Sequence, residues 1–153
     1  MSTQQHASRG STAEGPPEPT LAERARTLVS IARTGTLSTH SRKLTGFPFG
    51  SMMPYAADGK GRPAFFISSM AMHTQNLLGD PRSSLLITQP DVSGDPLSAS
   101  RVTILGTSAQ VMADEVRDLY LSRHEMQNFG RTIPTLPFIG WRSLVCTLLA
   151  ALA

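Results

Sequence analysis

Between Phe47 and Thr88, the residues able to do chemistry gather where one element hands over to the next. Ser51 opens one strand-like stretch and Ser68 and Ser69 close another. His73, Thr74, Gln75 and Asn76 follow at the start of a short helical segment. A strand end that feeds a helix start is a natural seat for an anion. The first backbone N–H groups of a helix lack internal partners, and the helix dipole favours negative charge there. Hydroxyl and amide side chains add neutral donors, so the cluster suggests a phosphate seat. The same residue types also serve as plain helix caps, and type and spacing alone do not separate the two.

A phosphate also wants a cation. Arg101 begins a long strand-like stretch on the face opposite Val102 and Ile104. Its planar fork suits a phosphate in a groove, although a solvated strand-end arginine would look the same. Arg42, Lys43 and Arg82 are weaker candidates because they fall in loops. Met52 and Met53 are successive strand residues and must face opposite ways. One therefore packs inside, while the other offers a polarizable thioether to a flat ligand or a neighbouring subunit. The four histidines, His6, His40, His73 and His124, share no metal-ligand spacing. No nucleophile–base arrangement, carboxylate pair or Walker-type phosphate loop occurs. An enzyme built this way would take its reactivity from a cofactor.

These side chains need a scaffold of short strands. Thr20 and Glu23 after Pro19 form a capping-box pattern for a helix over Thr20–Arg33, with Leu21, Ala25, Leu28, Val29 and Ala32 on one face and Gly35 as its stop. Strands are expected at Thr36–Thr39, Ser51–Ala57, Pro63–Ser68, Ser84–Thr88 and Ser100–Met112. Pro54 argues for an edge or a bulge, and Gly106 for a bulge or sharp bend. Asp58-Gly59-Lys60-Gly61 reads as a hairpin turn. Short helices are expected at Met72–Leu78 and Asp114–His124. The fold class is mainly β with peripheral helices, arranged as a small closed or half-closed antiparallel barrel. Residues 1–19 read as a disordered tail, 20–130 as the domain and 131–153 as an atypical tail.

With 153 residues, 40% of them hydrophobic and 16% charged, the chain supports one domain with a sizeable core. Its 12 glycines and 11 prolines suit tight turns between strands. The net charge of +3 is scattered, with no basic run or basic helix, which excludes a nucleic-acid footprint while suiting a small phosphorylated ligand. The lone cysteine, Cys146, rules out an internal disulfide and points to a reducing, cytoplasmic setting. The first residues lack the apolar core of a secretory signal, and the apolar run from Leu144 to Ala153 is too short to span a bilayer.

The segments GFPFGSMMPYAADGKGRPAFFISSMAMHTQNLLGDPRSSLLI, DPLSASRVTILGTSAQV and LYLSRHEM resemble the FMN-binding split-barrel superfamily, which contains pyridoxamine 5′-phosphate oxidase. The nearest branch is that of the haem-utilisation, haem oxygenase-like proteins, with the cellular-repressor split barrels beside it. The resemblance runs from Leu21 to Met126. It implies an antiparallel Greek-key split β-barrel working as a homodimer, with FMN, or alternatively haem, at the subunit interface. On that analogy Gly50, Ser51, Met52 and Met53 would meet the flavin ring. Ser68, Ser69, His73, Thr74 and Asn76 would surround the ribityl phosphate, with Arg101 as its cation. The implied activity is that of an FMN-dependent oxidoreductase. A flavin-free haem protein and a non-catalytic regulatory dimer are the alternatives. Residues 131–153 depart from the family pattern: the aromatic-rich strand that helps finish the barrel is not recognisable, so one barrel edge is expected to be incomplete and unpaired.

Overall fold

The computed structural model describes residues 17–124, 138–143 and 147–149. Its elements in chain order are α1 (Leu21–Ile31), β1 (Thr34–His40), β2 (Pro48–Pro54), β3 (Ala56–Ala57), β4 (Pro63–Ser68), α2 (Met72–Gly79), β5 (Arg82–Thr88), β6 (Arg101–Val111), α3 (Ala113–Arg123), β7 (Phe138–Ser143) and β8 (Thr147–Leu149). The strands run β2-β1-β5-β6-β7-β4-β3, with β8 also on β6, and each neighbouring pair is antiparallel. The molecule is therefore mainly β with three helices, and among the described residues the sheet stays open between β2 and β3 rather than closing. No helix among the described residues is long and apolar enough to cross a membrane. The disordered-tail reading falls largely on residues outside the described ones.

The capping box forms as read. The Glu23 amide donates to Thr20 Oγ1, and the Thr20 amide donates back to the Glu23 carboxylate at 2.8 Å. Helix α1 buries Ala25, Leu28, Val29 and Ala32 against the inner sheet face of Leu37, Met53, Leu85, Ile87, Val102 and Ile104. Leu21, expected on that face, is 59% exposed. The helix is shorter than the expected Thr20–Arg33. It stops at Ile31, where Ala32 turns extended and the Arg123 guanidinium of α3 takes the Ser30 and Ala32 carbonyls. Gly35 lies inside β1 instead. A Cβ there would sit 2.9 Å from both Leu85 Cδ1 and the Leu86 carbonyl oxygen.

Two expectations about kinks resolve differently. Pro54 ends β2 on the sheet edge, as its missing donor requires, and the chain breaks at Tyr55 before β3. Tyr55 is locked in the core, its hydroxyl donating to the Val29 carbonyl at 2.7 Å, and burial pushes its pKa up to about 12. Gly106 makes no bulge, since pairing runs without slip from Arg82↔Thr107 to Thr88↔Arg101. The strand changes partner just beyond it, with Ser108–Val111 pairing to β7. The turn at Asp58 is built as expected: Asp58 Oδ1 accepts from the Lys60 and Arg62 amides at 2.9 Å each, and Gly61 takes φ +75°.

The expected gap at the carboxyl end is not there. Phe138–Ser143 pairs with β4 on one side and β6 on the other, and Thr147–Leu149 pairs with β6. FIGWRS offers only six residues broken by Gly140, too short and irregular to announce a strand. What makes it one is the row of unpaired backbone groups on β4 and β6, which need partners. Among the described residues, β2 and β3 end the strand path, and β8 pairs with β6 alone.

Because one of the atoms a Gly35 Cβ would meet, the Leu86 carbonyl oxygen, is backbone, it cannot step aside. Gly35→Ala is expected to destabilise the chain by about 1–3 kcal/mol, read as a drop in the urea midpoint at unchanged slope. An unchanged midpoint would mean that β1 and β5 lie further apart than described.

Candidate functional site

The turn from β4 into α2 carries most of the side chains expected to hold a phosphate. Ala71 is the N-cap of α2, and no side chain caps the helix. The hydroxyl and amide groups thus do not act as plain caps. The Thr74 hydroxyl, fully buried, donates back to the Ser68 carbonyl at 2.7 Å. Gln75 donates to the Ser69 carbonyl at 2.7 Å, and Ser68 Oγ accepts from the Met70 amide at 3.2 Å. Asn76, 1% exposed, donates to Thr39 Oγ1 at 3.0 Å and accepts from the Arg42 amide at 2.9 Å. It clasps α2 to β1 and to the loop after it. Thr74 and Asn76 are thereby committed to holding the turn. The half-buried Ser68, Ser69 and His73 remain beside the first, uncapped amides of α2. Burial lowers the His73 pKa below its ordinary 6.5 and keeps the ring neutral.

One chain does not bring Arg101 to this turn. Thr39, which Asn76 touches, pairs with Ser83, whereas Arg101 pairs with Thr88. Five residues along a strand is about 17 Å. The Arg101 guanidinium instead donates to the carbonyls of Leu97 at 3.1 Å and Ala99 at 3.5 Å, bracing its own loop. The flavin-ring candidates on β2 also divide by strand alternation. Ser51 and Met53 share rows with the core residues Leu37 and Gly35, and Met53 is 6% exposed. Gly50 and Met52 face outward, with Met52 80% exposed.

That outward face is the feature the sequence reading did not assemble. Two rows cross it, Gly50–Ser38–Ser84–Leu105 and Met52–Thr36–Leu86–Thr103, and their backbone registers continue onto Thr147 and Leu149 of β8. Neither row contains a charged residue, and Leu86 and Leu105 are 37% and 41% exposed. At one end a groove of about 700 Å³ runs between Ser38, His40, Pro48, Arg82, Ser84 and Leu105, floored by Gly106 and Thr107. His40 is exposed there, the one groove side chain with a nitrogen lone pair to offer. Arg82 grips Asp80 through two parallel bonds, Nε to Oδ1 at 3.0 Å and Nη2 to Oδ2 at 2.6 Å. Those bonds hold the Asp80 carboxyl well below the usual carboxylate range. His40 and Arg82 were legible as the next outward members of the period-two series through Ser38 and Ser84. Their neighbours across strands needed the register. No group of three or more His, Cys, Asp or Glu side chains suited to a metal occurs among the described residues.

Most of the chain matches a known family. The model of the CREG beta-barrel family matches residues 16–131. The chain belongs to the CREG beta-barrel family. The expected split-barrel relationship is thus borne out, while residues 132–153 lie outside the matched region. Among related proteins, the chloroplastic heme oxygenase HOZ of Arabidopsis thaliana is 37% identical over 105 residues, covering 67% of this chain. The chain spans only 32% of that relative. A heme binding protein from Mycobacterium smegmatis superposes with a TM-score of 0.72 at 30% identity, covering 85% of this chain and 53% of that one. A putative pyridoxamine 5′-phosphate oxidase from Listeria innocua gives 0.66 at 14% identity over 88% of this chain and 100% of that one, a likeness of fold alone. Members of this family and their structural neighbours thus share the split-barrel frame across haem and pyridoxamine-phosphate-oxidase branches.

Two measurements probe the turn of this CREG-type barrel. Asn76→Ala removes a clasp whose Asn76 and Thr39 groups are buried and is expected to cost about 1–3 kcal/mol. Amide exchange at Arg42 should accelerate with it, and an unaltered Arg42 rate would refute the clasp. The neutral, buried His73 makes stability depend on pH. The unfolded chain takes up a proton near the ordinary 6.5, the folded one only at lower pH, so stability is full above 6.5 and declines as pH falls below it. His73→Gln should flatten the urea midpoint between pH 7.5 and 5.5, and an equal fall in both proteins would remove His73 as its source.

Proposed function

We propose that this chain is a haem-binding split barrel that works as a homodimer, with the ligand held where the outward sheet faces of two copies meet. The observation that carries the reading is the uncharged outward face with a histidine and an arginine at one end. A flat, weakly polar wall without charges suits a planar macrocycle. His40 supplies a nitrogen donor of the kind haem iron takes. Arg82, paired with Asp80 through Nε and Nη2, would offer a propionate only its Nη1 side. Exposed Met52, Leu86 and Leu105 on a sheet face are what a second copy would cover. Two relatives at 30% identity or more, the Arabidopsis thaliana and Mycobacterium smegmatis proteins, bear haem in their names, which supports haem ahead of other planar groups. When bound, haem would supply the redox chemistry. The protein's own residues would orient it and exclude water. The single cysteine suits a cytoplasmic setting.

A second reading, FMN binding with oxidoreductase activity, rests on a different observation. The first-turn amides of α2 carry no side-chain cap and stand beside Ser68, Ser69 and His73, which fits a phosphate end. The commitment of Thr74, Asn76 and Arg101 to internal bonds weighs against the fuller cradle.

Titration of the purified chain with ferric haem is expected to give a shifted Soret band saturating at one haem per chain. Leu105→Asp and Met52→Asp should each turn a dimer into a monomer in light scattering and weaken haem binding at least about tenfold, since each would bury an unpaired charge. A chain that quenches FMN fluorescence and leaves the Soret band unmoved would replace the first reading with the second. A wild-type monomer would remove the interface.

A further inference from the structure

In the turn between β1 and β2, residues 42–48 are exposed one after another. Among them stand Leu44 and Phe47, 64% and 63% exposed. Single exposed apolar residues are ordinary on a protein surface, but these two form a pair. The Phe47 amide donates to the Leu44 carbonyl at 3.1 Å, and Gly46 takes φ +85° between them. They are thus the first and last residues of a tight turn, whose ends lie within about 7 Å of each other. The turn projects outward, for a Cβ at Gly46 would meet no described atom within 4 Å. It is also braced from behind. Ser41 Oγ accepts from the Leu44 amide at 3.0 Å, the Ser41 amide donates to the Phe47 carbonyl at 2.9 Å, and the Arg42 amide is held by Asn76. An apolar tip fixed in this way loses little freedom when it is covered.

The charge around this tip has one sign. No acidic residue occurs between Glu23 and Asp58 in the sequence, while Arg42 and Lys43 directly precede Leu44. The Arg42 stem passes Gly79 at the end of α2, and its guanidinium donates to Gln75 Oε1 at 3.1 Å, a neutral partner that leaves the charge in place. Lys43 is exposed, with no side-chain hydrogen bond or ion pair among the described residues. Asp80, which lines the pocket behind the turn, is closed by Arg82 at 2.6 Å. An acidic protein surface would match the cations but would set Leu44 and Phe47 against polar groups. An anionic bilayer offers charged headgroups for the cations and hydrocarbon just beneath them for the apolar pair. We propose that the β1–β2 turn is a membrane-docking element, which rests Arg42 and Lys43 on anionic lipid headgroups and sinks Leu44 and Phe47 into the interface. None of residues 41–47 lines the outward-face groove, and the proposal stands apart from the haem reading.

The test is co-sedimentation of the full chain with vesicles of phosphatidylcholine, alone or mixed with phosphatidylglycerol. Binding is expected on the mixed vesicles only, and it should fall as salt is raised. The double substitution Leu44→Ala, Phe47→Ala should weaken it about tenfold or more, the scale of two apolar side chains withdrawn from a partly buried position. Lys43→Ala should weaken it about fivefold, the scale of one cation near an anionic surface. Lys60→Ala, which removes an exposed cation of the β3–β4 hairpin, should change nothing. All the substituted side chains are exposed, so circular dichroism should show the fold intact. A wild-type chain that stays in the supernatant overturns the proposal, as does one that sediments equally with both kinds of vesicle. A double variant that sediments like the wild type also overturns it. So does soluble polyglutamate that binds both proteins equally and strips the wild type from the vesicles, an outcome that would assign the turn to an acidic protein surface.

Discussion

The packing of α1 across the inner sheet face is the contact on which the rest of the structure depends. Ala25, Leu28, Val29 and Ala32 seal Leu37, Leu85, Ile87, Val102 and Ile104 from water. Strand side chains alternate, so sealing one face fixes what the other must show. A slip of one residue in any of β1, β5 or β6 would drive Thr36, Leu86 or Thr103 into the core and expel Leu37, Leu85 or Val102. The outward face is therefore specified by the inward one, down to the row that aligns Met52 with Leu86. Its lack of charge follows from which residues alternate with the core. Its exposure follows from the absence of a second helix layer over it among the described residues.

Around that contact, buried polar groups act as fasteners. Tyr55 ties β3 to α1, Asn76 ties α2 to β1, and Arg123 ties the end of α3 to the end of α1. Each group has little exposure or serves otherwise orphaned carbonyls, and each would be costly to leave unmade. The fasteners also decide what is left for ligands. Thr74 and Asn76 are used for folding and Arg101 for its own loop. The groups still free to bind lie elsewhere: the α2 amides and the exposed His40 at one end of the outward face.

Local features read directly from the chain because their causes are local. The Thr20–Glu23 capping box, the Asp58–Gly61 turn, the strand PAFFIS and the opposed Met52 and Met53 each depend on neighbours within a few residues. Errors arose where a distant partner decided. Gly35 looks like a helix stop and is really the point where β1 and β5 come too close for a Cβ. Gly106 looks like a bulge and sits in unbroken register. Arg101 has the right type for a phosphate and the wrong place for the α2 turn. FIGWRS looks like no strand until β4 and β6 stand on either side of it.

The alternation, the caps, the turns and hence the family of folds are written in the order of the residues. These follow from short-range sterics and from the period with which apolar residues recur. Only the tertiary structure decided which hydroxyls, amides and guanidinium groups stay available, because a polar side chain is used by whichever partner the fold brings within hydrogen-bond reach. Residue type says what bond a group can make. Packing says whether that bond is already taken.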